Sequence, residues 1–61
     1  MITYEVGDLL GFSPANNGHY MICVVIHKKQ TKYTLTWIFD GKTDIYNEDM
    51  ITSYGWWRKL A

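Results

Sequence analysis

Two histidines and the single cysteine recur at intervals of four, as His19, Cys23 and His27, and imidazole and thiolate are the usual ligands of zinc. On a strand rising about 3.3 Å per residue, such positions share a face but stand about 13 Å apart, whereas the ligands of one zinc converge within a few ångströms. The three therefore read as a small buried cysteine and two surface histidines, with no metal and no cofactor implied. Asp40, Asp44, Glu48 and Asp49 are the carboxylates available for acid-base work. Their turn-rich surroundings supply none of the burial that raises a carboxylate pKa, so they read as a solvated acidic rim. There is no serine elbow, no HExxH and no glycine loop of the kind that cradles phosphate, and the expectation is a protein without catalytic activity.

Binding chemistry is better represented. Lys28, Lys29 and Lys32 cluster ahead of Tyr33, and Arg58 and Lys59 follow two adjacent tryptophans, Trp56 and Trp57. Cations beside aromatic rings can hold phosphates while a ring stacks on a base, which makes nucleic acid one candidate partner. An exposed tryptophan beside an arginine is equally the chemistry of protein-interface hot spots. The formal net charge is zero, from six basic and six acidic side chains, which argues against a general binder of polyanions. Local segregation of the basic cluster from the four carboxylates predicts a dipolar surface.

The elements that must position these residues are short and of β type. Residues 4–10 read as a first strand broken at Gly7, and 11–18 (GFSPANNG) as a loop rich in turn formers. Residues 20–27 (YMICVVIH) form a second strand and 33–39 (YTLTWIF) a third, joined by a four-residue turn over 29–32. That turn pairs Lys28 with Tyr33, Ile26 with Leu35, Val24 with Trp37 and Ile22 with Phe39. A two-residue turn at Asp40-Gly41 would bury Asp44 against a tryptophan. A three-residue turn is therefore expected, pairing Leu35 with Ile45 and Trp37 with Thr43. After Asn47, a possible helix cap by residue type, EDMI reads as a single helical turn from Glu48 to Ile51, and 54–60 as a last short strand. The predicted inward set is Ile22, Val24, Ile26, Leu35, Trp37 and Ile45. Met21, Cys23, Val25 and His27 then face outward beside Thr34, Thr36 and Ile38.

Such an outer face is too apolar for water, and either the segment carrying Trp56 and Trp57 folds over it or another molecule does, a second copy of the chain included. Adjacent tryptophans on a strand point to opposite sides, so one enters the core and the other stays outside. The candidate binding residues on this basis are Met21, Val25, Ile38, Tyr46, Trp56, Trp57 and Arg58. For nucleic acid they are Lys28, Lys29, Lys32 and Tyr33.

At 61 residues the chain is shorter than an average domain and is expected to be one unit over 1–61. Hydrophobic residues at 48% against 20% charged are a folding composition, and aromatics at 16% are the expected substitute for the disulfide that one cysteine cannot form. The longest apolar run, 20–26, is far below the roughly 20 residues of a membrane helix. No basic start precedes an apolar stretch as in a signal peptide, and a lone cysteine suits a reducing compartment. A soluble cytoplasmic protein is expected. Beginning at Met1 and running directly into an ordered-looking segment, the chain reads as a complete short gene product.

The order Val6-Gly7-Asp8-Leu9, irregular loop, strand pair, then WIFDGKTDIYNEDMI and a final strand, resembles the small SH3-like barrels of the Tudor and KOW type over nearly the whole chain. It is also similar to short bacteriophage proteins that carry VGDLV, then VxWxDG, then YxxxxL. Val6, Gly7, Asp8, Asp40 and Gly41 carry the match. The resemblance implies an all-β fold, a five-stranded SH3-like barrel of two small orthogonal sheets with one helical turn. It also implies binding functions on loops and on one sheet face. Tudor domains hold methylated side chains in an aromatic cage, for which Phe12, Tyr20, Trp37, Phe39 and Tyr46 are the candidates, while KOW modules use basic loops. The expectation is a protein-binding module, a small phage accessory protein docking on a host or phage protein in the host cytoplasm. The alternative is a KOW-type nucleic-acid binder.

Overall fold

The computed structural model describes residues 3–14, 18–53 and 55–61. The fold is all-β with one short helix: β1 (Leu9–Phe12), β2 (Met21–Lys29), β3 (Lys32–Trp37), β4 (Thr43–Asn47), α1 (Glu48–Thr52) and β5 (Trp57–Lys59). The five strands are antiparallel neighbours in a single sheet ordered β4-β3-β2-β1-β5, where two orthogonal sheets were expected. β4 and β5 are its edges, yet the Tyr46 ring of β4 lies 5.3 Å from the Trp57 ring of β5, so the sheet curls until the inner faces of its edges touch.

Inside the curl sit Tyr4, Leu10, Cys23, Val25, Tyr33, Leu35, Trp37, Ile51 and Trp57. Leu35 and Trp37 face inward as expected, but β2 is turned the other way from the sequence expectation. Cys23 and Val25 are buried, Ile22 and Ile26 are exposed, and Val24 is half-buried. The cause is local. The β2–β3 hairpin begins with Lys28 opposite Tyr33, as predicted, although its turn has only Gln30 and Thr31 between the paired Lys29 and Lys32, with Gln30 at φ 54°. A bulge at Ile26 then shifts the ladder by one, so that Val25 and not Ile26 opposes Leu35, and Cys23 opposes Trp37. One extra residue on a strand exchanges its faces. The segment before β1 holds the bulge. The Gly7 N–H donates to the Val25 carbonyl at 2.7 Å and the Val25 N–H donates to the Asp8 carbonyl at 3.0 Å. Gly7 sits at φ 98°, a conformation a side chain would strain. In this register the small Cys23 side chain opposes the Trp37 ring and Val25 opposes Leu35.

The β3–β4 register also differs from expectation. Leu35 opposes Asp44, Thr36 opposes Thr43 and Thr34 opposes Ile45, which leaves Ile45 two-thirds exposed. The turn is one residue longer than expected: Trp37 N–H donates to the Lys42 carbonyl at 2.8 Å, and Gly41 N–H, at φ 72°, donates to the Trp37 carbonyl at 2.8 Å. Asp40 accepts from the Lys42 N–H at 2.9 Å and closes the loop. Asp44 thus lies on the tryptophan side, the placement that the sequence argued against, and the indole N–H donates to its carboxylate at 2.7 Å. The cost expected for an aspartate against a tryptophan disappears because the ring brings its own donor.

The helical turn falls at Glu48 as expected and buries Ile51 against the core. Asn47 holds the N-cap position with extended backbone but makes no side-chain cap bond. The Glu48 N–H donates to the Thr31 carbonyl instead, at 2.6 Å. That bond sets the acidic start of α1 beside the basic tip of the first hairpin, so charges segregated in sequence are adjacent in space. The first strand is Leu9–Phe12 and not 4–10, because residues 5–8 turn, with Asp8 N–H donating to the Glu5 carbonyl at 3.0 Å. The last strand is shorter than expected, Trp57–Lys59; Tyr54 and loop residues 15–17 lie outside the described residues.

Candidate binding surface

The outer side of the sheet is built from residues that alternate with the core. Gly11 of β1 pairs with Ile22 of β2 on one side and with Arg58 of β5 on the other. Thr34 and Thr36 of β3 continue the row beside Ile45 and Thr43 of β4. At Gly11 the Tyr20 ring lies close over the sheet: an added Cβ would stand 2.8 Å from Tyr20 Cδ1 and 3.2 Å from Leu60 Cδ1. Arg58 projects along the same face, its guanidinium 5.8 Å from the Tyr20 ring centre and donating from Nη1 to the Tyr20 hydroxyl at 3.0 Å. That hydrogen bond raises the Arg58 pKa further above its ordinary value.

Two hollows flank Tyr20. The first, of about 440 Å³, is lined by Tyr20, Met21, Ile22, Ile38 and Phe39, and Ile38 and Phe39 are 60% and 64% exposed. It forms because the 38–41 loop carries its apolar side chains away from the core and the Ile38 N–H donates to the Ile22 carbonyl at 3.0 Å, laying the loop beside the start of β2. The second, of about 310 Å³, is lined by Ser13, Tyr20, Gly55, Trp56, Trp57 and Arg58. The Ser13 hydroxyl is buried there without a hydrogen-bond partner.

The residues expected to bind proteins are divided by this geometry. Met21 and Ile38 line the apolar hollow, and Trp56 and Arg58 the polar one. Val25 is 1% exposed and belongs to the core, because the bulge reversed β2, so it cannot meet a partner. Trp57 is buried against Phe12, Trp37 and Tyr46, while Trp56 is exposed, which agrees with the expectation that the two diverge. Trp57 packs on the inner side, so the C-terminal segment does not cover the outer face with that ring. Tyr46 is half-buried under Trp57.

The residues expected to bind nucleic acid separate too. Tyr33 is 1% exposed and its hydroxyl accepts the Tyr4 N–H at 3.1 Å, which removes it as a stacking platform. Lys28 lies 3.7 Å from Glu5 and over the Tyr33 ring at 5.5 Å. Lys29 and Lys32 remain exposed at the tip. Three of the expected cage rings pack on one another, Phe12 edge to face on Trp37 at 5.9 Å and Trp37 tilted against Phe39 at 6.1 Å, while Tyr46 packs on Trp57 and Tyr20 lies over Gly11. Cys23 is buried with its thiol directed to the Leu10 carbonyl at 3.8 Å, and burial pushes its pKa up to about 11, so it is a weak nucleophile and a poor metal ligand. Sequence reasoning missed Ile22 and Ser13, and it named Tyr20 and Phe39 only as rings of an aromatic cage. The signal for Tyr20 was Gly11, a glycine in a strand, which marks a close approach by another group.

Comparison with known proteins finds no matching family model, no matching curated protein and no matching solved structure. Among the described residues, no helix is long and apolar enough to cross a membrane.

Proposed function

We propose that the chain is a non-enzymatic protein-binding module of the SH3-like kind, acting as a small phage accessory protein that docks on a host or phage protein. The observation that carries this reading is the apolar hollow between Tyr20 and Phe39. Five apolar or aromatic side chains line it, and large side chains that face water on a chain this small are available to a partner at no cost to the core. The phage assignment rests on the VGDL and WIFDG resemblance. The nucleic-acid reading loses Tyr33 to the core and has Lys28 paired with Glu5 and Lys59 with Asp8, which leaves it Lys29, Lys32, Arg58 and the exposed Trp56.

The test is a photo-crosslinking residue placed at Ile38, in the natural host, with Phe39→Asp as control. A protein crosslinked by the parent and lost with Phe39→Asp, at unchanged circular dichroism, supports the reading. Crosslinking that ignores Phe39→Asp, or a salt-sensitive complex with nucleic acid alone, overturns it.

A further inference from the structure

Tyr20 is a fixed ridge shared by the two hollows. Its ring is seated against Gly11, where an added Cβ would lie 2.8 Å away, and its hydroxyl is tied to Arg58 at 3.0 Å. The hollow on one side of the ridge is apolar; Met21 and Phe39 are 42% and 64% exposed there. The hollow on the other side is polar and contains the Arg58 guanidinium, which has five N–H donors and spends one on Tyr20. Ser13 also lines this hollow, with its hydroxyl oxygen buried and without a hydrogen-bond partner. Among the described residues no carboxylate lines either hollow, and the neighbouring cation Lys59 is paired with Asp8 at 3.6 Å.

We infer that the two hollows form one composite site for an extended peptide segment that carries an apolar side chain next to a carboxylate. The apolar side chain occupies the hollow of Met21, Ile38 and Phe39, the chain crosses Tyr20, and the carboxylate meets Arg58, whose planar fork matches carboxylate geometry. A nucleic-acid strand fits less well. Its phosphates recur at every nucleotide, and among the described residues Arg58 is the one cation that lines the site. The inference rests on the protein-binding reading and names the chemistry of the partner.

The test is titration of the isotope-labelled full chain with blocked peptides in which leucine and aspartate are separated by no, one or two glycines. Asparagine and lysine replace the aspartate in parallel series, and oligothymidylate is a further ligand. The expected result is joint movement of the Met21, Phe39 and Arg58 amide signals with an aspartate peptide, and affinity about threefold or more weaker for its asparagine counterpart. Arg58→Glu, a change at an exposed side chain, should reverse the preference toward the lysine peptide. Equal affinity for the aspartate and asparagine peptides would overturn the composite site while leaving the apolar hollow as a protein-binding surface. Signals that respond to oligothymidylate and to no peptide would overturn both readings. Silence toward every ligand at millimolar concentration would overturn the composite site alone, and the Phe39→Asp crosslinking would then decide the protein-binding reading.

Discussion

The Trp37 indole N–H donates to the Asp44 carboxylate at 2.7 Å, across the β3–β4 hairpin and at the edge of the aromatic core. It converts the least favourable pairing in the sequence, an aspartate facing a tryptophan, into the contact that holds β4 in register. Asp44→Ala should cost about 1.5 to 3 kcal/mol, the range for hydrogen bonds to charged groups, and Asp44→Asn, which keeps an acceptor, clearly less. Urea unfolding followed by tryptophan fluorescence measures both. Equal stability of the Ala variant and the parent would mean that the bond contributes nothing to the register.

The bulge at Ile26 makes a prediction about β2 that an unbroken ladder would reverse. Val25→Lys should unfold the chain, because the charge would enter the core beside Leu35, whereas Ile45→Lys should change stability by less than about 0.5 kcal/mol. Leu35→Ala should cost about 2 to 5 kcal/mol, which is most of what a core of this size supplies. Circular dichroism melts of the three variants check the set, and a folded Val25→Lys would contradict the bulge.

Gly11 has no left-handed backbone requirement, so its importance is steric. Gly11→Ala sets a methyl 2.8 Å from the Tyr20 ring and 3.2 Å from Leu60, and should cost about 1 to 3 kcal/mol as overpacking while parting Tyr20 from Arg58. In a Tyr20→Ala background the same change should cost clearly less, since only the Leu60 contact remains. A double-mutant cycle reads this directly, and additive effects would show that the ring yields without cost.

Cys23 reports on folding through its thiol. Its pKa rises from 9.0 to about 11 on burial, so the folded state binds a proton that the unfolded state gives up. Stability from this source is complete below about pH 9 and is lost as the pH rises toward about 11. Burial also raises the Tyr4 and Tyr46 pKa values, which adds to the alkaline loss at higher pH. Stability measured against pH should therefore fall less steeply from about 9 upward in Cys23→Ala than in the parent. Thiol reagents at neutral pH should label the parent only as fast as it opens, and immediate labelling would show that the thiol is accessible.

Much of the fold was legible in the sequence because its signals are local. Turn residues at Asp40-Gly41 separate β3 from β4, alternation in YTLTW turns Leu35 and Trp37 inward, and the EDMI segment supplies the helical turn. Lys28 opposite Tyr33 followed from proximity to the hairpin turn. The inner face of β2 was not legible. MICVVI is apolar at every position, so its pattern is compatible with either face, and the choice fell to the hydrogen bonds that Val25 exchanges with Gly7 and Asp8, far earlier in the chain. The same holds for the candidate site. Sequence alone marked Met21, Ile38, Trp56 and Arg58 as candidate binding residues, but that Arg58 meets Tyr20 over Gly11 was decided only when β5 paired with β1. Contacts between residues so distant in sequence leave no periodic trace in it.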